Sequence, residues 1–137
     1  MQQRSRMVIA AAMGAAALAA GAGACRADAL DSSIVGAWTT TAADCSKLFA
    51  GRAFRQPVDK FAQAVIIEPQ RIRLPSSDCH IQSVLHTGGA IKVTADCNDS
   101  ISYTAQTVQI KVRSGGEIVY SPTGDPALDT TLVKCRP

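Results

Sequence analysis

Residues 79–97, CHIQSVLHTGGAIKVTADC, carry the pattern that decides the fold. Two strand-like stretches surround Thr-Gly-Gly at residues 87–89, and the glycines can adopt the positive φ angles that a tight hairpin requires. With a three-residue loop, the register places Cys79 opposite Cys97 at a non-hydrogen-bonded position. The two backbones come closest at such positions, so a cross-strand disulfide is feasible. The sequence therefore predicts a β-hairpin closed by a disulfide.

The same register predicts which side chains of the hairpin share a face. The facing pairs on the largely apolar side are Ile81–Ala95, Ser83–Val93 and Leu85–Ile91. On the other side His80 faces Asp96, and His86 is expected on the same face as His80. A His–carboxylate pair could hold a proton or a metal ion, but the sequence favours a solvated cross-strand pair. The two histidines lie roughly 20 Å apart along a strand and cannot share one ion.

Alternating apolar residues predict further antiparallel strands. Residues 64–68 and 71–75 form a hairpin around Pro69-Gln70, and residues 107–113 and 117–120 form another. The predicted facing pairs are Ile67–Ile72, Ile66–Arg73, Glu68–Arg71, Val112–Ile118, Ile110–Tyr120 and Arg113–Glu117. Further strands are predicted at residues 34–40, 101–105 and 130–134, which gives about eight. This pattern is typical of an all-β fold, a small antiparallel β-barrel, with a β-sandwich as the alternative.

One segment departs from the strand pattern. Residues 42–51 (AADCSKLFAG) predict a short helix that presents Cys45, Leu48 and Phe49 on one face and stops at Gly51. Residues 52–63 are expected to form a loop, because Pro57 discourages a helix there. The apolar side chains expected to anchor this loop are Phe54, Val58 and Phe61.

The N-terminal segment has the organisation of a secretory signal peptide over residues 1–29. Arg4 and Arg6 form a charged start, and residues 7–24 are apolar and rich in alanine. Ala27-Asp28-Ala29 fits an A-x-A cleavage site. The chain is therefore expected to be exported to the bacterial periplasm or beyond.

Residues 30–137 remain after this cleavage and are expected to form a single β-barrel domain. Two alternatives stay open, a membrane anchor and cleavage after Ala24 that leaves a lipidated Cys25. Cleavage after Ala29 lowers the formal charge from +3 to +1, because it removes Arg4, Arg6, Arg26 and Asp28. So small a charge does not favour nucleic acid or an anionic membrane as a partner.

The cysteines support the same compartment. Loss of Cys25 leaves four cysteines, an even number, as expected for a domain with two disulfides. Since the hairpin register pairs Cys79 with Cys97, the second bond joins Cys45 to Cys135 and closes nearly the whole domain. The spacings are long and no C-x-x-C occurs, so we expect no metal site.

Gly36-Ala37-Trp38 on the first predicted strand, followed by a series of hairpins, resembles the calycin group of lipocalin-like barrels. The chain also resembles short exported cysteine-containing proteins of alphaproteobacteria. The calycin group includes small bacterial periplasmic protease inhibitors built on such a barrel with a disulfide. The resemblance implies that a late basic side chain stacks on the tryptophan, and Arg113 and Arg136 are the candidates.

The sequence contains no G-x-S-x-G and no glycine-rich loop that precedes a helix. We therefore expect a non-enzymatic protein without a cofactor; an enzyme working at His80 and Asp96 is the weakest hypothesis. The first hypothesis is an inhibitor-like binding protein that presents residues 52–59 and 121–129 to another protein. The contact residues expected there are Arg52, Phe54, Arg55 and Asp125. The alternative is a carrier that holds a small apolar ligand in the barrel around Trp38, Tyr103 and Tyr120.

Overall fold

The computed structural model describes residues 29–55 and 58–137, which are almost entirely β-structure. The predicted signal peptide and the lipidation alternative at Cys25 lie outside the described residues, Ala29 excepted. Within the described part, the strands are β1 (Gly36–Thr39), β2 (Phe49–Ala50), β3 (Ala53–Phe54), β4 (Ala64–Glu68), β5 (Arg71–Arg73), β6 (Asp78–Thr87), β7 (Ala90–Asn98), β8 (Tyr103–Arg113), β9 (Glu117–Ser121) and β10 (Thr130–Cys135). Two 3-10 helices accompany them, Ala42–Lys47 and Pro126–Leu128.

Eight of these strands form a closed antiparallel barrel in the order β1-β10-β9-β8-β7-β6-β5-β4. The predicted barrel is confirmed, and the sandwich alternative is not adopted. The short turns at residues 69–70, 88–89 and 114–116 lie at one end, which we call the tight-turn end. The longer connections, residues 40–63, 74–77, 99–102 and 122–129, lie at the opposite, long-loop end.

Side chains from all eight barrel strands fill the interior. The apolar positions alternate along each strand and so point to one side of the closed sheet. Examples that are fully buried are Ile67, Ile72, Val93, Ile110 and Ile118, each at 0 % exposure. They belong to one continuous cluster that also contains Trp38 and Tyr120. The barrel is therefore a packed core of side chains.

The β6–β7 hairpin departs from the predicted register near its turn. The turn has two residues, Gly88 and Gly89, both with positive φ, and the predicted three-residue loop is wrong. A β-bulge between Ile81 and Ser83 absorbs the offset, so that Cys79 still faces Cys97. Between the bulge and the turn, each β6 side chain lies on the face of the sheet opposite to the predicted one. The observed pairs there are Val84–Val93, Leu85–Lys92 and His86–Ile91.

The bulge also separates the two histidines. His80 faces Asp96 as predicted, on the exposed side of the sheet. His86 instead pairs with Ile91, which is buried at 7 % exposure, so His86 belongs to the inward-facing side at the tight-turn end. The prediction that both histidines share a face is wrong, because one extra residue inverts every side chain that follows it.

The other two hairpins adopt the predicted registers. Ile67 faces Ile72 across β4–β5, and the three predicted β8–β9 pairs are all present. Glu68 and Arg71 also face each other, but they do not form the ion pair. The Glu68 carboxylate instead accepts two hydrogen bonds, at 2.9 and 2.7 Å, from the guanidinium of Arg73. Arg73 lies diagonally across the pair, where its fork can bind both oxygens.

Residues 42–55 and 58–63 form a small unit on the outer face of the barrel. The predicted helix is shorter than expected, a 3-10 helix at Ala42–Lys47, and Gly51 lies in the turn between β2 and β3 instead of stopping the helix. Phe49 and Phe54 pack against each other with ring centroids 5.4 Å apart. This unit covers outward-facing side chains of β1, β4 and β10 in a second apolar cluster, whose buried members are Ala37, Leu48, Val58, Ala62, Ala64, Ile66 and Cys135.

Both predicted disulfides are present. Cys79–Cys97 lies inside the barrel, where both residues are at most 2 % exposed. Cys45–Cys135 links the 3-10 helix to the end of β10 across a sequence separation of 90. Such bonds are compatible with an oxidising compartment outside the cytoplasm. Among the described residues, no helix has the length and apolar character needed to cross a membrane.

Candidate functional site

Trp38 is part of the barrel core near the tight-turn end. The side chain is 2 % exposed, and its indole Nε1 donates a hydrogen bond of 2.8 Å to the carbonyl of Ile34. The Nζ atom of Lys134 lies 5.3 Å from the ring centroid and donates to the Ser33 carbonyl at 3.0 Å. The expected basic residue over the tryptophan is thus Lys134, and the candidates Arg113 and Arg136 were wrong. Lys134 is directly opposite Trp38 in the β1–β10 register.

Gly36 makes room for this lysine. A Cβ atom on Gly36 would lie 2.9 Å from Cε of Lys134, and the φ angle of +145° is one that other residues rarely adopt. Gly36, Trp38 and Lys134 therefore form one group of mutually contacting residues. The Trp38 side chain in this group is almost completely buried.

The other two residues of the predicted ligand site, Tyr120 and Tyr103, differ in how far they are exposed to solvent. Tyr120 is in the core at 5 % exposure, and burial raises the pKa of its phenol. Its hydroxyl is enclosed and has no hydrogen-bond partner among the described residues. Tyr103 is 67 % exposed at the start of β8, opposite the exposed Asn98. The structure brings Trp38 and Tyr120 into one core and leaves Tyr103 outside it.

A recess of about 470 Å³ opens at the long-loop end, and we call it the mouth recess. Tyr120 borders it from the barrel side, and Leu74 and Gln63 border it from the connecting loops. The complete lining is Thr40, Ala62, Gln63, Ala64, Val65, Leu74, Pro75, Ser76, Tyr120, Pro122, Thr130 and Leu132. None of these residues carries a formal charge.

A second depression, of about 670 Å³, lies beside the mouth recess, and we call it the rim groove. It runs between the segment at residues 58–60 and the turn at residues 98–100, and its floor is formed by residues 73–78. The rim groove and the mouth recess share Leu74, Pro75 and Ser76. The two depressions therefore lie on either side of these residues at the long-loop end.

Two large, exposed apolar side chains belong to the segments that border the rim groove. Phe61 follows the groove residue Lys60 and is 93 % exposed, and Ile101 follows Ser100 and is 95 % exposed. The prediction that Phe61 anchors its loop is therefore wrong, since Val58 and Ala62 are the buried residues of that segment. We call Phe61 and Ile101 the rim pair.

The same local motif fixes both members of the rim pair. The Asp59 carboxylate accepts a hydrogen bond of 2.9 Å from the backbone N–H of Phe61, and Asp99 accepts one of 2.8 Å from that of Ile101. The bond from Ile101, joined by one from Ser102, lowers the pKa of Asp99. Because the pKa of Asp99 is lower in the folded protein, its ionised carboxylate stabilises the fold at pH values above the pKa that Asp99 has in the unfolded chain. This stabilisation is lost as the pH falls through the pKa of Asp99 in the folded protein. The Asp-x-apolar spacing, at Asp59 and Asp99, is the sequence signal that could have identified the rim pair.

The predicted partner-contact residues divide between two regions. Arg52 is exposed in the β2–β3 turn, and Phe54 is half-buried against Phe49. The Nε atom of Arg55 donates to the Phe49 carbonyl at 3.1 Å, which ties Arg55 to this outer unit. Asp125 instead lies at the long-loop end, where its carboxylate accepts from the N–H of Ala127 at 2.9 Å and starts the second 3-10 helix.

Polar side chains contact one another on the outer face of the barrel around His80. The Nε2 atom of His80 lies 3.2 Å from the Arg71 guanidinium, and Nε of the same arginine lies 3.3 Å from the Asp78 carboxylate. Because arginine can only donate, this contact assigns Nε2 as the acceptor and the proton to Nδ1. The described part of the chain contains no cluster of three or more His, Cys, Asp or Glu residues that could hold a metal ion.

Comparison of the chain with protein-family models, with curated proteins and with solved structures found no match. The class of fold is nevertheless defined. A closed barrel of eight antiparallel strands is consistent with a lipocalin-like barrel. The functional assignment therefore depends on the geometry of the long-loop end and on the packing of the barrel interior.

Proposed function

We propose that the protein is a non-enzymatic binding protein of the bacterial periplasm or extracellular space, and that it docks onto another protein through the rim at its long-loop end. The observation that carries this proposal is the rim pair. Phe61 and Ile101 are more than nine-tenths exposed, and they belong to the two segments that border one groove. Exposed apolar groups that lie together beside a polar groove are candidates for contact with another protein.

The packing of the interior supports docking by loops over storage of a ligand inside the barrel. Trp38, Ile67 and Ile110 belong to one continuous cluster of buried apolar side chains inside the barrel. The rim, in contrast, combines two protruding apolar groups with a groove that contains charges of both signs. Interfaces of moderate affinity commonly have this arrangement, with a few apolar anchors surrounded by polar groups.

The loops that present the rim pair are held in a fixed geometry before any partner binds. Asp59 and Asp99 fix the backbone at both members, and the Cys45–Cys135 bond fastens the unit from which residues 58–63 emerge. Pre-organised loops lose little conformational entropy on binding. This property suits an inhibitor, and we infer that the partner is a protease or a wall-degrading enzyme.

We also propose, as part of the same hypothesis, that the chain is related to the calycin group and that it is exported. Gly36, Trp38 and Lys134 are arranged as the resemblance implies, with the cation over the indole ring. Two disulfides support folding outside the cytoplasm. Cleavage of residues 1–29 as a signal peptide is checked by sequencing the N-terminus of the exported protein, which we expect to begin at Leu30.

The docking proposal is tested with Phe61→Ser and Ile101→Ser. Wild-type protein is titrated into purified serine, cysteine and metalloproteases and a peptidoglycan hydrolase, and residual activity and direct binding are measured. We expect one of these enzymes to bind, and each substitution to weaken that binding about 10- to 100-fold, because each removes a central apolar anchor.

Leu85→Ser and Val112→Ser are the matched controls for this experiment. Leu85 is 56 % exposed and Val112 is 54 % exposed, and both lie toward the tight-turn end. Both control variants should bind the enzyme as tightly as the wild-type protein does. Arg52→Ala tests the contact residues predicted on the outer unit. If the rim variants bind as tightly as the controls, or if only Arg52→Ala weakens binding, the rim is not the docking surface.

A further inference from the structure

We propose that the Cys45–Cys135 bond is a redox latch, which a dithiol reductant opens while the barrel stays folded, and which loosens the outer unit (residues 42–55 and 58–63) when it opens. The bond joins the 3-10 helix of that unit to the last residue of β10. The opening of the bond is independent of the proposed function, whereas its effect on docking rests on that function.

The two disulfides differ in how easily a reductant can reach them. Cys79 and Cys97 lie inside the closed barrel at 1 % and 2 % exposure. Cys135 is also buried, at 5 %, but Cys45 is only half-buried, in a helix on the outer face where the next residue, Ser46, is exposed. Because an attacking thiolate must contact a sulfur atom, Cys45 is the cysteine of the two bonds that a dithiol can reach without opening the barrel.

The exchange that opens the latch consumes one dithiol. Its first thiolate attacks Sγ of Cys45, the sulfur–sulfur bond breaks, and Cys135 leaves as a thiolate that takes up a proton. The second thiol of the reductant then displaces Cys45 from the mixed disulfide. Two electrons and two protons pass to the protein, which ends with two free thiols, and the reductant ends as a disulfide. In an oxidising compartment the latch stays closed until such a dithiol is supplied.

The helix that carries Cys45 is weakly held apart from this bond. Within the described helix, Ala42–Lys47, no residue is buried, and the side chain of Thr41 makes no capping hydrogen bond to it. A 3-10 helix of this length is marginal without tertiary contacts. The bond to Cys135 is therefore an attachment that the helix cannot readily replace.

The rest of the outer unit depends on the same region of the barrel. Its buried members Leu48, Val58 and Ala62 pack in one cluster with Cys135 and with Ile66 of β4. Ile66 faces outward and is 0 % exposed beneath this unit. When the latch opens, water gains access to this cluster, and the backbone amides of the unit lose protection.

The latch also affects docking at the rim. Phe61 lies between the groove residue Lys60 and the buried Ala62, so its position depends on the outer unit. Ile101 belongs to the turn after β7 and does not depend on that unit. We expect the reduced protein to bind an enzyme found in the docking experiment about tenfold more weakly than the oxidised protein, because one of two anchors is no longer pre-organised.

Dithiothreitol is the reductant that tests the latch. The oxidised protein is incubated with it at neutral pH, free thiols are trapped with iodoacetamide at increasing times, and the labelled peptides are identified by mass spectrometry. We expect Cys45 and Cys135 to be labelled at least about 100-fold faster than Cys79 and Cys97, since the inner pair reacts only when the barrel opens. The single tryptophan, Trp38, should keep the emission of a buried indole while the first pair reacts.

Hydrogen exchange on the protein with only the outer bond reduced measures the loosening. The N–H groups of Leu48 and Arg55, which donate to carbonyls within the outer unit, should exchange at least about tenfold faster than in the oxidised protein. Amides of Val93 and Ile110 in the barrel core should keep their protection.

Two double variants are the matched controls. Cys79→Ala with Cys97→Ala retains the latch, so dithiothreitol should increase exchange in its outer unit as in the wild type. Cys45→Ala with Cys135→Ala has no latch, so its outer unit should exchange rapidly with or without dithiothreitol.

Two results would overturn the inference. They are labelling of all four cysteines at one rate, and selective opening of the outer bond that leaves exchange in the outer unit unchanged. Equal binding of the enzyme by the oxidised and the reduced protein would show that the latch does not control the rim. If the bond opens selectively and the unit loosens, but the oxidised protein binds none of the enzymes, the docking proposal fails and the redox latch stands.

Discussion

Replacing both Cys45 and Cys135 by alanine is expected to lower the free energy of unfolding by about 4–5 kcal/mol, the value that the chain-entropy model assigns to so long a loop. The bond spans a sequence separation of 90, so its removal frees almost the whole domain in the unfolded state. Guanidinium denaturation of the oxidised wild type and of the variant measures the difference. A loss below about 1 kcal/mol would show that this bond restrains little, against the same model.

Hydrogen exchange identifies the backbone amides that lose protection when the Cys45–Cys135 bond is removed. The Cys45–Cys135 bond fastens residues 42–55 to β10, so amides of this segment, such as the Arg55 N–H that donates to the Leu48 carbonyl at 2.8 Å, should exchange faster in the variant. Cys79→Ala with Cys97→Ala is the comparison. That pair closes a separation of only 18, for which the model gives about 3 kcal/mol. It also removes sulfur atoms from the barrel core, but it should leave exchange in the outer unit unchanged.

Trp38→Ala is the second substitution with a large expected effect, a loss of about 3–5 kcal/mol, as is typical when a buried tryptophan is truncated. The indole is 2 % exposed, and its removal leaves a cavity at the tight-turn end together with an unpaired Ile34 carbonyl. Thermal and guanidinium unfolding measure the loss. Trp38→Phe refills part of the cavity and should lose clearly less.

Lys134→Met separates the cation from the packing in the same group. Methionine keeps much of the aliphatic stem over Trp38 but loses the charge 5.3 Å from the ring and the hydrogen bond to Ser33. We expect a loss of about 0.5–1 kcal/mol, the range for a cation–π contact at an exposed site. In a double-mutant cycle the two losses should not add, because the residues are in contact. Additive losses would mean that the lysine does not interact with the indole.

Period-two alternation and the cysteine spacing were sufficient to predict the barrel. Both are local in sequence, and each hairpin register also places two cysteines or two apolar residues opposite each other. The turn at Gly88-Gly89 shows the limit of this reasoning. Thr87 can be counted in the loop or in the strand, and a bulge near Gln82 makes both choices consistent with the Cys79–Cys97 pair.

The candidate site was harder to predict because exposure depends on tertiary structure. Phe61 was expected to anchor its loop together with Phe54 and Val58, but the small outer unit buries Val58 and Ala62 and leaves Phe61 exposed. Lys134 was overlooked because its contact with Trp38 depends on β10 pairing with β1, a pairing between opposite ends of the domain. Tyr103 and Tyr120 look alike in the sequence, and only their positions on β8 and β9 separate an exposed ring from a buried one.

The arrangement of the two ends of the barrel has a consequence for orientation. The backbone N–H of Leu30 donates to the Pro69 carbonyl at 3.2 Å, so the described chain enters the barrel beside the β4–β5 turn. A tether attached ahead of this point, whether a lipid, a surface or a fused protein, would hold the tight-turn end toward its support. Phe61 and Ile101 would then face away from the support, toward whatever diffuses past. Immobilisation through the amino-terminal side should therefore leave the opposite pole accessible, whereas cross-linking through residues 99–102 should mask it.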